Sequence, residues 1–171
     1  EDWELPEEGK YITYRIVDAF TSIFSRRDDK VLLQSWFFIS LTSLGWDGVY
    51  QSFLDMAPLA LEISLIALPC HLNAHWSLLV RKASYDQESS YNFIYLDSLN
   101  SHERFITIIE AIQRCPLNDS DRGDTCYELE VSHQSEVECG ALTCLYAYAM
   151  KECTEDFLFD LSSYLGNRRV P

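Results

Sequence analysis

The sequence predicts an α+β fold in which a central mixed, mostly antiparallel sheet is flanked by helices. Extended apolar segments are grouped in the middle of the chain, and segments with helical spacing lie before and after them. With 171 residues, of which 47% are hydrophobic, the chain can bury a core of its own. We therefore expect a single domain over residues 1–171, with an irregular acidic arm at residues 1–10.

The first part of the chain is predicted to be mainly helical. Apolar residues at helical spacing predict an amphipathic helix over 11–25, followed by a polar turn at 25–30. The apolar and aromatic segment 31–41 fits either a strand or a buried helix. The sequence GWDG at 45–48 should break this segment, and a short helix is predicted around 48–54.

Three extended segments follow. Residues 62–68 are predicted to form a buried strand that Pro69 ends, because proline cannot donate to a sheet ladder. Residues 75–81 and 91–96 are predicted as two further strands, separated by a polar turn at 86–90. Together the three segments predict an antiparallel meander.

The last part of the chain mixes helices with one more strand. Helical spacing predicts a helix over 102–114, and a polar loop follows at 118–124. Residues 126–131 alternate as a fourth strand. An apolar helix is predicted from 139 to about 150, and a final amphipathic helix over 157–165.

Charge and hydropathy exclude several classes of function. Acidic residues outnumber basic ones by 27 to 13, which gives a formal net charge of −14. Such a chain should repel phosphate backbones, which argues against nucleic acid as a partner. The charge favours a basic protein partner, although solubility alone would explain it equally well. No apolar run reaches the roughly 18 residues that span a bilayer, so no membrane partner is expected.

The six cysteines are predicted to be free thiols, because a chain of this size does not need disulfides. They form no CxxC pair and do not cluster with histidines at zinc-ligand spacing, so no metal site is expected. The acidic N-terminal segment lacks the basic and apolar regions of a secretory signal. We therefore expect an intracellular protein, in the cytoplasm or nucleus or in a host cytosol for a pathogen effector, and a monomer by default.

Three residues form a candidate catalytic set: His75 begins a predicted strand, Asp97 ends another, and Cys139 begins a predicted helix. In a cysteine protease the thiolate attacks, the histidine is base and then acid, and the carboxylate orients the histidine. Gly140 would let the backbone approach the reacting carbonyl closely. Each residue alone also fits a structural role, so the prediction depends on their combination and order. His71 is a weaker candidate base, because no tryptophan follows it.

The segments LIALPCHLNAHWSLLV, YLDSL and QSEVECG resemble the ULP/SENP/deneddylase cysteine proteases of the adenain-like clan. These enzymes hydrolyse the bond after the C-terminal Gly-Gly of SUMO, the neddylation modifier or ubiquitin. The resemblance covers about residues 11–165, and the chain order His, Asp, Cys is the same. It implies a papain-like protease catalytic domain of the ULP/adenain type that needs no cofactor.

The resemblance implies a role for each matching residue. His75 matches the general base, Asp97 the carboxylate that orients it, and Cys139 the nucleophile. Trp76 matches the tryptophan that roofs a narrow tunnel for the Gly-Gly tail of the substrate.

The chain departs from the family pattern beside its nucleophile. Glu138 stands where the family usually has aspartate, and Gln134 lies five residues before Cys139 rather than the usual six. His133 occupies the usual glutamine position. The oxyanion donor could be Gln134, His133 or a backbone N–H, and we favour Gln134 because a one-residue deletion still lets it reach the site.

The resemblance implies a thiol isopeptidase whose partners are ubiquitin or a ubiquitin-like protein and its conjugates. The acidic charge favours ubiquitin or the neddylation modifier over SUMO. A YopJ-type acetyltransferase would use the same residue types, although the 13 basic residues offer little material for the basic pocket of those enzymes. A catalytically inactive modifier-binding module and a protease of linear peptides also fit the sequence.

Overall fold

The computed structural model describes residues 13–24, 30–56, 65–83, 91–114, 125–130, 138–152 and 167–169. The helices in these ranges are α1 (Tyr14–Phe24), α2 (Ser35–Met56), α3 (His102–Gln113) and α4 (Cys139–Glu152). The strands are β1 (Lys30–Leu32), β2 (Leu65–Leu72), β3 (His75–Ala83), β4 (Tyr91–Asp97), β5 (Thr125–Glu130) and β6 (Asn167–Arg169). The predicted arm at 1–10, the turn at 86–90, the loop at 118–124 and the helix at 157–165 lie outside the described residues, as does the turn predicted at 25–30 except for Lys30, which begins β1.

The six strands form one mixed sheet with the order β1-β2-β3-β4-β5-β6. Strands β1 and β2 pair in parallel, as do β4 and β5, while the other neighbours are antiparallel. This topology confirms the predicted mixed, mostly antiparallel sheet and its central meander β2-β3-β4. Strand β6 was not predicted, because three residues are too few to show an alternating pattern, and β1 covers the start of the segment 31–41 that the sequence left open between strand and helix.

The prediction that Pro69 ends the second strand is wrong, because β2 continues to Leu72 and Pro69 pairs with Leu78. The N–H of Leu33 donates to the carbonyl of Ala67 at 2.8 Å, so the backbone polar groups of Ala67 point towards β1. Pro69 lies two residues further along β2, so its backbone nitrogen points to the same side as the backbone groups of Ala67, but beyond the end of β1. No ladder bond is needed from its nitrogen there, which is the position in a sheet that tolerates proline.

The ambiguous segment 31–41 is divided between a strand and a helix. Strand β1 ends at residue 32, and α2 begins at Ser35, whose backbone N–H donates to Oδ1 of Asp18 at 2.6 Å. The predicted break in GWDG is a kink at Gly45, with φ 69° and ψ 179°, and helix continues on both sides of it. The other predicted helices and strands that fall in the described ranges are confirmed.

The sheet has a hydrophobic layer on each face. Helices α2 and α3 cover one face, in a cluster that includes Phe37, Phe38, Phe53, Leu79, Tyr95, Phe105 and Ile108. Helix α4 covers the other, in a cluster that includes Leu65, Leu78, Val80, Ile94, Leu96 and Ala147. Helix α1 packs against α4. None of the helices in the described part of the chain is long and apolar enough to cross a membrane.

Candidate active site

His75 and Asp97 meet at one end of the sheet because β3 begins where β4 ends. The strands are antiparallel, and their register pairs Leu78 with Leu96. His75 lies just before Leu78 and Asp97 just after Leu96, so both lie at the same end. Their side chains are joined by Nε2 of His75 and Oδ1 of Asp97, 2.5 Å apart, and are only 3% and 1% exposed.

A tight turn fixes the position of His75. Leu72 pairs with His75, and only Asn73 and Ala74 connect them. Both have left-handed backbone, with φ 53° and 59°. Positive φ at both central residues is typical of a type I′ turn, whose twist matches that of the flanking strands. The turn therefore starts β3 at the candidate base.

The Asp97 carboxylate is surrounded by donors. Besides His75, it accepts the backbone N–H of Leu99 at 2.9 Å and of Ser101 at 3.3 Å, and the hydroxyl of Tyr95 at 3.1 Å. Burial alone would raise the pKa of Asp97, but the bond to His75 and its charge, together with the backbone N–H groups of Leu99 and Ser101, outweigh burial and lower the pKa. The carboxylate is therefore held in its charged form.

Cys139 begins α4 and is almost fully buried, at 1% exposure. The His75 side chain and the backbone N–H groups of Trp76 and Gly140 act on the pKa of its thiol as hydrogen-bond donors. Burial would raise the pKa of the thiol, but these bonds, with that of His75 the strongest, lower it below its ordinary value. The amino terminus of α4 has the same effect on a thiolate.

Asp97 and Cys139 both stabilise His75 as a cation. Burial acts to lower the pKa of His75, but the bonds to Asp97 and Cys139 outweigh burial and raise it to about 9. Because Nε2 is occupied by Asp97, Nδ1 is the ring nitrogen that remains for the sulfur of Cys139. The geometry thus supports a thiolate and an imidazolium side by side, which is an activated nucleophile.

Trp76 packs in a small buried cluster with Cys139 and Val17. Its ring also lies against the ring of His71, with 4.6 Å between centroids. Burial and the nearby His75 both lower the pKa of His71, so His71 favours the neutral form. The carboxylate of the site pairs with His75 and not with His71.

The structure brings together His75, Asp97, Cys139, Trp76 and Gly140. The candidate oxyanion residues Gln134 and His133 lie outside the described residues. In the ranges that the structure describes, no three His, Cys, Asp or Glu side chains are grouped as they would be around a metal ion.

Sequence reasoning missed two side chains that contact Asp97. Tyr95 lies two residues before Asp97 and so faces the same side of β4, a spacing that could have revealed it. Arg104 approaches from α3, with Nη1 3.7 Å from Oδ2 of Asp97. No local pattern relates a helix residue to the end of a preceding strand, so Arg104 had no signal in the sequence.

No family model matches the chain, and no curated protein matches it in sequence. The structure is nevertheless similar to that of the Ulp1 protease domain in complex with Smt3, the yeast ortholog of SUMO. The TM-score is 0.69 at 16% identity, over 85% of this chain and 67% of that one. For the Xanthomonas campestris effector XopD bound to ubiquitin, the TM-score is 0.67 at 18% identity, over 94% of this chain and 87% of that one. These similarities confirm the predicted fold type.

Proposed function

We propose that this chain, which has the fold of the ULP-like cysteine proteases, is a thiol protease of ubiquitin or a ubiquitin-like modifier. It would cleave after the C-terminal Gly-Gly of the modifier and release the modifier from its conjugates. The single observation that supports this most is the buried arrangement of Cys139, His75 and Asp97, where α4 and β3 begin and β4 ends. Neither a metal nor a cofactor is needed for the reaction.

In the proposed mechanism the modifier tail lies extended beside Trp76. The Cys139 thiolate attacks the carbonyl carbon of the terminal glycine, and a tetrahedral oxyanion forms. The backbone N–H of Cys139, which has no partner within its own helix, and the side chain of Gln134 would stabilise that oxyanion. His75 then protonates the departing amine, and water hydrolyses the acyl-enzyme to free the modifier and Cys139.

We further propose that ubiquitin or the neddylation modifier is preferred over SUMO. The chain has a net charge of −14. Ubiquitin and the neddylation modifier carry basic patches next to their tails, whereas the enzyme-facing surface of SUMO is more acidic. Opposite charge speeds association and suppresses wrong partners. Both the SUMO ortholog and ubiquitin occur in complexes of this fold, so the fold itself does not select between them.

Covalent labelling tests both proposals. Ubiquitin, the neddylation modifier and SUMO, each with an electrophile in place of its C-terminal carboxylate, are incubated with the protein and the adducts are read by intact mass. We expect an adduct with ubiquitin or the neddylation modifier, lost in Cys139→Ala. The control is Cys126→Ala, a cysteine on β5 at the far end of the sheet, which should keep the adduct.

Each outcome of the labelling decides something. A faster reaction with SUMO would contradict the modifier preference and leave the protease proposal intact. No adduct from folded protein would contradict the protease proposal, and labelled acetyl-CoA would then distinguish an acetyltransferase from an inactive module. An adduct that persists in Cys139→Ala would show that Cys139 is not the nucleophile.

We also propose that the protein acts inside a cell, in the cytoplasm or nucleus. Among the described residues, Cys70, Cys126, Cys139 and Cys144 are free thiols, which is usual in the reducing cytosol and nucleus. Imaging of a fluorescent fusion in the source cells tests this, and in a host cell it tests delivery of an effector. Secretion into an oxidising compartment would contradict it.

A further inference from the structure

The two oxygens of the Asp97 carboxylate have different partners. Oδ1 bonds to Nε2 of His75 at 2.5 Å and accepts the backbone N–H of Leu99 at 2.9 Å. Oδ2 accepts the hydroxyl of Tyr95 at 3.1 Å and lies 3.7 Å from Nη1 of Arg104. One oxygen therefore faces the candidate base, and the other is held by side chains that do not touch the reacting atoms.

The partners of Oδ2 come from two separate elements. Tyr95 belongs to β4, and its side chain is fully buried. Arg104 belongs to the first turn of α3, whose cap residue Ser101 also donates its backbone N–H to Oδ2 at 3.3 Å. The cap side chain in turn accepts the N–H of Arg104 at 3.4 Å. The start of α3 is thus anchored on the carboxylate of the candidate site.

A carboxylate that is held by one oxygen can turn about its Cβ–Cγ bond. Donors on both oxygens fix the plane of the group, and such outer contacts commonly orient a reactive histidine. We propose that Tyr95 and Arg104 are positioning residues, which hold Oδ2 of Asp97 so that Oδ1 stays aligned with His75. The kinetic part of this inference rests on the proposed function, but its structural part does not.

Charged and titratable groups face Asp97 from several elements. They are His75 on β3, Tyr95 on β4, Arg104 on α3 and Tyr146 on α4, and Cys139 on α4 acts on His75. Burial and the charge of Asp97 raise the pKa of Tyr146, so that phenol stays neutral near neutral pH.

A positioning role and a simple charge effect predict opposite shifts in the pKa of His75 when Tyr95 or Arg104 is lost. If Tyr95 and Arg104 only stabilised the negative charge of Asp97, their loss would leave more of that charge to act on His75 and would raise the pKa of His75. If they position Asp97, their loss loosens its bond to His75, and the pKa of His75 falls. The sign of the shift therefore distinguishes the two roles.

The test follows the ring of His75 by NMR in protein labelled at its four histidines, while the pH is varied. We expect the pKa of His75 to be lower in Tyr95→Phe and in Arg104→Gln than in the unaltered protein. Tyr50→Phe, a half-buried tyrosine of the same core, and Arg114→Gln, an exposed arginine at the end of α3, are the matched controls. Neither control should shift the titration.

If labelling identifies a substrate, kinetics gives a second measure. We expect Tyr95→Phe to lower kcat about 10-fold with KM unchanged, because the tail still binds while the base is misaligned. A raised or unchanged pKa of His75 in both folded variants would overturn the inference. Failure to cleave or react with any modifier would count against the proposed function instead, and the NMR comparison would still decide the positioning role.

Discussion

At the scale of single residues, the candidate site depends on how His75 and Cys139 change each other's protonation. The bond between them opposes the cost of burying each charge. It lowers the pKa of the thiol and raises that of the imidazole, so the charged pair exists over a wide range of pH. By contrast, burial raises the pKa of Cys70 well above the ordinary value of a thiol.

The pH dependence of catalysis follows from these shifts. The thiolate of Cys139 should form below the ordinary pKa of cysteine, so the acid limb of kcat/KM should lie below that value. The imidazolium of His75 should persist until its pKa of about 9, so activity should fall as the pH rises through that value. A modifier with a C-terminal fluorophore, assayed between acid and alkaline pH, measures both limbs. An alkaline limb near the ordinary histidine pKa of about 6.5 would contradict the assignment.

Asp18 provides a residue-scale test of how α2 begins. Its Oδ1 accepts the backbone N–H of Ser35 across 17 positions of sequence. Asp18→Ala should lower the free energy of unfolding by about 1 kcal/mol, as the loss of a helix cap does. Urea denaturation measures this, with Asp47→Ala as an exposed control on the same helix. Equal midpoints for the two variants would show that the Asp18 bond contributes no stability.

At the scale of elements, the turn between β2 and β3 combines strain with precise placement. Ala74 has φ 59°, which costs an L-residue roughly 1–2 kcal/mol relative to glycine. The strained residue lies directly before His75, so the two-residue turn that strains Ala74 also sets where the candidate base starts its strand.

Relief of this strain should stabilise the fold. Ala74→Gly is expected to raise the free energy of unfolding by up to about 1 kcal/mol, because part of the gain is lost to the greater freedom of glycine in the unfolded chain. The matched control is Ala111→Gly within α3, which should destabilise by about 1 kcal/mol. Urea denaturation of both variants measures this, and a loss of stability in Ala74→Gly would contradict the argument.

At the scale of the whole molecule, the sheet has a hydrophobic layer on each face and the candidate site at one end. Helices α2 and α3 cover one face, and α4 covers the other. The nucleophile at the start of α4 therefore reaches the end of the sheet where β3 begins and β4 ends. Rigid elements, rather than a single loop, bring the three candidate residues together.

The net charge of −14 predicts how modifier selection depends on salt. With a ubiquitin substrate, kcat/KM should fall as ionic strength rises, because salt screens the attraction between acidic enzyme and basic modifier surface. With a SUMO substrate the fall should be smaller or reversed. Assays at about 0.05 and about 0.5 M salt measure both dependences. Over this range the Debye length falls from about 14 to about 4 Å. If kcat/KM with ubiquitin does not depend on salt, the acidic charge of this chain lies away from the surface that contacts the modifier.

The central meander and the helices could be predicted from the sequence, because alternation and helical spacing are local properties. The residues of the candidate site could be predicted from their types, their chain order and the family resemblance. Strand β6 could not be predicted, and the choice between strand and helix at the start of segment 31–41 stayed open, since strands so short are defined only by their neighbours in the sheet. The prediction that Pro69 ends β2 was wrong because β1 is distant in the sequence. The point at which β1 ends determines whether the nitrogen of Pro69 needs a partner.

The sequence by itself therefore determined the order of elements and the candidate residues His75, Asp97 and Cys139. Only the tertiary structure decided how those residues act on one another. The contacts of Tyr95 and Arg104 with Asp97, and the cap that Asp18 gives α2, are set by the register of strands and the docking of helices. Such contacts join residues from different elements, so no local pattern encodes them, and the pKa shifts of the site follow from them.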